Sequence, residues 1–327
     1  MEPDGTSGNR SLVFERLHGF LSWAAAAGML AWSLSAAAAE GAPAQDGQTA
    51  WWVWAILLFA LTLAIGFGAV LAGVGGGVVF VPFMVGFFPF HTDFVRAAGI
   101  MVAMATALAA GPRLMSGNLA RLRVALPCAL VASVFAILGV ELGFALPVHV
   151  LQSLLGLFIL SVTASMALSK KCEYPEVKTL DAGARFFDLQ GRFLEESTGL
   201  VHPWRMHRTL AGWASFALVG LMAGMFGLGS GWASVPILNL LMGLPLKMAI
   251  ATSLAILLPN TSAAAWGYLN HGAILPILVA PSLAGAMIGS RLGALVLPRI
   301  RPQTVRHIVI AVLLLSGLRA LLKGLGI

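Results

Sequence analysis

Apolar residues run along this chain in long blocks separated by short polar turns. Five blocks, Trp51–Val74, Val78–Phe90, Phe94–Pro112, Val124–Leu146 and Val148–Leu168, are nearly free of charge. The rhythm returns at Thr209–Leu228, Trp232–Leu244, Met248–Trp266, Ala273–Leu297 and Thr304–Leu322. A helix needs about 20 apolar residues to cross a bilayer core. No block shows the alternation of a membrane barrel, so the blocks predict helices. The blocks that start at Val78 and Trp232 are short, which predicts tilted helices or half-helices. Between the two sets lies a polar stretch in which acids and bases alternate around Phe186, Phe187, Leu189, Phe193 and Leu194. It predicts either an amphipathic helix on the inner surface or a solvated linker.

A further apolar block, Leu17–Ala39, follows Arg10 and Arg16 and ends in four alanines. It reads as either a cleaved signal or a retained first helix, and it is longer than the usual signal-peptide core of roughly 7–15 residues. The organisation expected is therefore a signal-like or anchor helix with an outside loop (1–50), a first transmembrane repeat (51–169), a cytoplasmic linker (170–208) and a second transmembrane repeat (209–327). Charge supports the count. With Trp51 outside, Arg113, Arg121 and Arg123 fall inside, as do Lys170, Lys171, Lys178, Arg205, Arg208, Arg299 and Arg301, and the turn at Asn270 and His271 falls outside. That is the positive-inside bias. Arg319 and Lys323 fall outside, against it.

Composition agrees with the pattern. Of 327 residues 59% are hydrophobic and 10% charged, and the mean hydropathy is +0.90. A soluble enzyme, a disulfide scaffold and a disordered regulator are excluded, because apolar residues and Gly make up only about 45–50% of an ordinary soluble domain. The two cysteines, Cys128 and Cys172, suffice neither for a disulfide framework nor for a four-ligand zinc site. The formal charge of +7 does not mark nucleic-acid binding, since the bases sit at block edges and no basic face interleaves with aromatics. The fold class expected is an all-α polytopic membrane protein.

The halves repeat one motif. Gly73-Val74-Gly75-Gly76-Gly77 precedes Val81-Pro82, and Gly227-Leu228-Gly229-Ser230-Gly231 precedes Val235-Pro236. Each cluster follows a long block and opens a short one. In the same register Ala97-Ala98-Gly99 aligns with Ala251-Thr252-Ser253. Five crossings per half make the second half enter from the opposite face, so two inverted repeats with glycine-broken helices are expected, as in many transporters. Re-entrant short segments would make the crossings even and remove the inversion, but the charge pattern favours it. Glycine runs break a helix, and a break at membrane depth survives only where protein or a water-filled cavity covers it. The helix that follows begins with free N–H groups and the positive end of its dipole, which suit an anion. The alternative reading of the glycines is close helix packing. Neither spacing fits a Rossmann or Walker phosphate loop, and no motif implies a cofactor, a metal or a catalytic group.

At these residues the chain resembles the TauE/SafE sulfite exporter family of bacterial membrane permeases. The resemblance also draws on Ala251-Thr252-Ser253 and on Gly272-Ala273-Ile274 after Trp266 and Tyr268, and it covers the chain from Trp51 onward apart from the central stretch. It implies a multi-pass protein of the bacterial inner membrane that moves sulfite, sulfonates or related small anions, often outward. Two departures stand out: the first half has Ala97-Ala98-Gly99 where hydroxyls are expected, and the N-terminal and central extensions are unusual for a compact member.

The substrate contacts expected are Gly73, Gly75, Gly76, Gly77, Gly227, Gly229, Ser230, Gly231, Thr252, Ser253 and Asn260. Hydroxyls and amides replace the water shell of an oxyanion without holding it by charge. Thr and Ser also back-bond to their own helices, so Asn260, beside Pro259, is the strongest of the set and Asn239 a weaker one. Arg96 and Lys247 are expected to snorkel to the interface, the alternative being a basic group at each mouth that attracts an anion. Glu141 and Arg291 align across the repeats but face opposite sides, and His271 reads as an exposed loop residue. His202 and His207 around Trp204 read as an interfacial anchor. The function expected is a secondary transporter, an exporter of small anions, working by alternating access. A channel of the same architecture and a non-transport membrane enzyme or assembly factor are the alternatives. The partners expected are a small anionic substrate and the lipid bilayer, with no nucleic acid.

Overall fold

The computed structural model describes residues 51–72, 75–88, 90–116, 120–168, 175, 181–194, 201–296 and 302–325. The first set of helices is α1 (Trp51–Ala72), α2 (Gly76–Phe87), α3 (Thr92–Ser116), α4 (Leu122–Ala145) and α5 (Val148–Leu168). A one-turn helix α6 (Ala182–Phe186) and strands β1 (Gln190–Leu194) and β2 (Val201–Arg205) follow. The second set is α7 (Thr209–Phe226), α8 (Gly231–Pro236) running into a π-helical turn (Ile237–Leu241), α9 (Leu246–Asn270), α10 (Pro276–Val296) and α11 (Pro302–Gly324). Among the described residues six helices, α1, α3, α4, α7, α9 and α10, are long and apolar enough to span a membrane, and α2 and α8 are short as the sequence predicts. The protein is an all-α polytopic membrane protein. The block at Leu17–Ala39 and Gly73 lie outside the described residues.

The outward faces are apolar. Along α4, Leu122, Leu126, Leu130, Val134 and Leu138 recur one turn apart and stand exposed. Such a stripe is stable against lipid and not against water. Inward faces are built from small residues, which let backbones approach closely. A Cβ at Gly289 of α10 would collide with the Leu63 carbonyl of α1, and one at Gly224 of α7 with the Ala136 carbonyl of α4.

The packing of the two sets is reciprocal. The first helix of each set lies on the fourth of the other, α1 on α10 and α7 on α4. In both pairs the chains run the same way: Gly285 meets Phe59 and Gly293 meets Phe67, while Gly220 meets Ala132 and Gly224 meets Ala136. The third helices run in opposite directions, with Arg96 of α3 bonded to Tyr268 of α9 and Met104 facing Ser262. The fifth helices also run oppositely, since Gly156 abuts Leu321 and Gly324 abuts Ser153.

The central stretch corrects the sequence expectation. Instead of an amphipathic helix or a solvated linker, its described part forms α6 and an antiparallel hairpin in which Gln190 pairs with Arg205 and Leu194 with Val201. The side chains alternate with the period of a strand: Pro203 and Arg205 are exposed and Trp204 between them is buried. Trp204 thus packs inward with Met206, Leu189 and Ala125 rather than anchoring at the interface. Asp181 ties this cap to the bundle. Its carboxylate accepts from Ala184 N–H at 2.9 Å at the start of α6, and from Thr209 N–H at 2.8 Å and Thr209 Oγ1 at 2.6 Å at the start of α7.

Burial raises the Asp181 pKa, but these hydrogen bonds, first that from Thr209 Oγ1, outweigh it and leave the pKa below its ordinary value. A group whose pKa is depressed by folding adds stability above its unfolded pKa and loses it as pH falls through the folded value. Asp181→Ala is therefore expected to loosen the cap by about 0.5–2 kcal/mol at neutral pH, read as faster proteolysis between residues 181 and 208. The difference from wild type should fade only in acid, below the usual aspartate range.

Candidate functional site

Both glycine clusters break their helices. Gly75 takes φ +83° before α2, and Gly227 and Gly229 take φ +74° and +71° between α7 and α8. These are left-handed values that L side chains resist. The two breaks meet in space: a Cβ at Gly77 would lie 2.8 Å from the Leu228 carbonyl and 2.7 Å from the Gly99 carbonyl. Gly227 in turn abuts the backbone of Arg96 on α3.

Two stripes of side chains cover the breaks. On α3, Gly99, Ala103 and Thr106 recur at i, i+4 and i+7, and on α9, Ser253, Leu257 and Asn260 do the same. Leu257 sits between the breaks, with one methyl 3.4 Å from where a Gly75 Cβ would be and the other 3.0 Å from that of Gly229. Ala103 is 2.9 Å from the same Gly229 position, and a Cβ at Gly76 would lie 2.7 Å from the Thr106 hydroxyl. A small cleft opens beside Gly75. Ala69, Gly75 and Thr106 from the first set line it together with Ile250, Ser253 and Leu254 from the second, leaving room for roughly one water molecule.

The expected contact residues behave differently from one another. Gly75, Gly76, Gly77, Gly227, Gly229 and Gly231 all lie at the breaks, and Gly75 and Ser253 line the cleft. Thr252 Oγ1 accepts from the Arg121 N–H at 3.2 Å, whereas Ser253 Oγ donates to the Ile250 carbonyl at 2.8 Å within its own helix. Asn260 is fully buried, and neither end of its amide has a partner among the described residues. Ser230 is buried with its hydroxyl equally unpartnered. Asn239 is occupied structurally, its amide donating to the Leu244 carbonyl at 2.9 Å.

Sequence reasoning missed Thr106. The register that matches Gly75 to Gly229 also matches Thr106 to Asn260 and Gly76 to Ser230. A polar side chain thus comes from each half, despite Ala97-Ala98-Gly99. Thr106 Oγ1 donates to the Val102 carbonyl at 2.7 Å, leaving its lone pairs at the cleft.

Arg96 also departs from expectation. It is fully buried rather than snorkelling, while Lys247 is exposed as predicted. Its Nε donates to Tyr268 Oη at 3.1 Å, and Nη1 donates to Asp93 Oδ1 at 2.7 Å and to the Gly143 carbonyl at 3.3 Å. Tyr268 Oη in turn donates to the Gly224 carbonyl at 2.7 Å, in the last turn of α7 before the break. Above this network His271 stacks on Phe144 at 4.1 Å and pairs with Glu141 at 3.1 Å. Arg319 and Lys323, anomalous in the charge pattern, serve α2: Arg319 covers the Phe87 ring at 4.5 Å and Lys323 Nζ donates to the Val85 carbonyl at 3.2 Å. They offset the negative end of the α2 dipole, while its positive end faces the breaks.

Gly229→Ala is expected to cost more than Gly272→Ala. Both positions are left-handed, which penalises any L side chain by about 1–2 kcal/mol, but Gly272 has nothing within 4 Å whereas Gly229 has Ala103 at 2.9 Å. The comparison is of melting temperatures in detergent, and equal losses would mean the breaks are loosely packed.

The wider comparisons follow the same motifs. The chain is 26% identical over 170 residues to the probable membrane transporter protein YunE of Bacillus subtilis (strain 168), a match that covers 52% of this chain and 59% of that relative. No solved structure gives a significant match. Residues 57–320 match the sulfite exporter TauE/SafE family across both glycine breaks, so the chain belongs to that family of membrane transporters.

Proposed function

We propose that the protein is a secondary carrier of small oxyanions, an exporter of sulfite or organosulfonates in the bacterial inner membrane, which acts without catalysis. Buried Asn260 carries this reading. An amide with four hydrogen-bonding sites left unpaired at membrane depth costs several kcal/mol, and a ligand that accepts and donates there removes the cost. Ser230 and the positive end of the α2 dipole add donors of the same kind. None of the three carries a full charge, so an oxyanion is held by hydrogen bonds and can leave again. The description of the matched family as sulfite exporters supports the substrate class.

The mechanism proposed is alternating access between two inverted repeats, 51–169 and 209–327, joined by a cytoplasmic segment, 170–208. The opposite run of α3 against α9 and of α5 against α11 supports the inversion, because equivalent helices of unturned repeats would run the same way. The narrowness of the cleft supports a carrier over a channel. Toward the His271 turn, Tyr268 is fully buried and bonded to Arg96.

In vesicles loaded with labelled sulfite, the expected result is saturable flux with counterflow; linear flux would indicate a channel, and no flux would overturn the reading. Asn260→Ala should raise the half-saturating sulfite concentration roughly 10- to 100-fold, the equivalent of one hydrogen bond to a charged group. Unchanged kinetics would remove Asn260 from the site.

A further inference from the structure

The carrier reading places only neutral donors at the centre, yet two arginines stand one step away on either side of it. Arg96 lies one turn from Gly99 on the stripe that continues to Ala103 and Thr106. Its Nη2 is buried and has no partner among the described residues, although Nε and Nη1 are both bonded. Its guanidinium lies 5.1 Å from the Phe144 ring and 5.4 Å from that of Tyr268. Arg121 approaches from the opposite end. Its backbone N–H holds Thr252, the neighbour of the cleft residue Ser253. Its Nε is buried and unpartnered among the described residues, and its guanidinium lies 5.6 Å from the Trp204 ring.

We propose that Arg96 and Arg121 are two anion stations, one on each side of the centre, at which the oxyanion pauses on its way in and out. The inference rests on the carrier reading above. A guanidinium N–H that has no partner, such as Arg96 Nη2 against Gly143 or Arg121 Nε, offers a charge-assisted hydrogen bond to an incoming oxyanion. Release remains possible for a different reason at each station. At Arg96 the carboxylate of Asp93 competes for the same cation at 2.7 Å. Arg121 is half-buried, so solvent screens its charge. Aromatic faces hold both cations without saturating their donors. The repeat register shows that the stations are not copies: Ile250 stands where Arg96 would be repeated, and Arg121 follows α3.

The test is one of sidedness. Sulfite uptake is measured in oriented vesicles from the face bearing the His271 turn and from the face bearing the hairpin. Arg96→Gln should raise half-saturation roughly tenfold at the first face and leave the second within about twofold, and Arg121→Gln should do the reverse. Equal shifts at both faces, or none, overturn the proposal while leaving the carrier reading intact. Loss of saturable flux in the wild type overturns the reading and the stations with it. Should Arg96→Gln fail to fold, Gly143→Ala decides, provided its melting temperature stays near that of the wild type, because its methyl would meet Arg96 Nη2 as well as the Met225 carbonyl and displace that donor without removing the charge. A one-sided shift there supports the station, and an unchanged profile overturns it.

Discussion

Backbone that leaves its helix inside a bilayer must find cover, and this fold is organised around covering two such places at once. The breaks at Gly75 and at Gly227–Gly229 lie against each other, and Leu257 and Ala103 close over both. The cost of an unsatisfied amide in lipid is several kcal/mol, so neither break is tolerable alone. Each becomes tolerable because the other, and the long helix of the opposite set, shields it. The same contact brings the start of α2 and the buried Ser230 next to the other break. Stability and the proposed site therefore share the same residues.

Charge is handled in a matching way. Arg96 is buried, but Asp93, Tyr268 and the Gly143 carbonyl distribute its hydrogen bonds over α3, α4 and α9. Breaking such an arrangement on one side leaves a buried charge uncompensated. Arg319 and Lys323, by contrast, meet carbonyls and an aromatic ring at the end of a short helix, where a cation is favoured.

Much of the fold was legible because lipid imposes a simple code. Block length gave the helices, and the glycine clusters gave the breaks, since few other sequences permit the left-handed values found at Gly75, Gly227 and Gly229. The site was legible only in part. Asn260 stands out as a candidate because an amide is rare at that depth, whereas Thr106 is an ordinary helix hydroxyl that only the repeat register, by pairing it with Asn260, marks. Arg96 was misread because a cation four residues into a helix normally reaches water, and only the partners from α4 and α9 keep it inside. The hairpin was missed because its two-residue period spans just a few residues, among them exposed Pro203, buried Trp204 and exposed Arg205.

The exchange of first helices between the sets has a mechanical consequence. Glycine contacts of α10 on α1 and of α7 on α4 bring backbone against backbone with no side chain to give way. Each pair resists shear, and each takes one member from either repeat. The most tightly packed pairs thus each join a helix of the N-terminal set to one of the C-terminal set, so the two sets interlock instead of forming separate lobes.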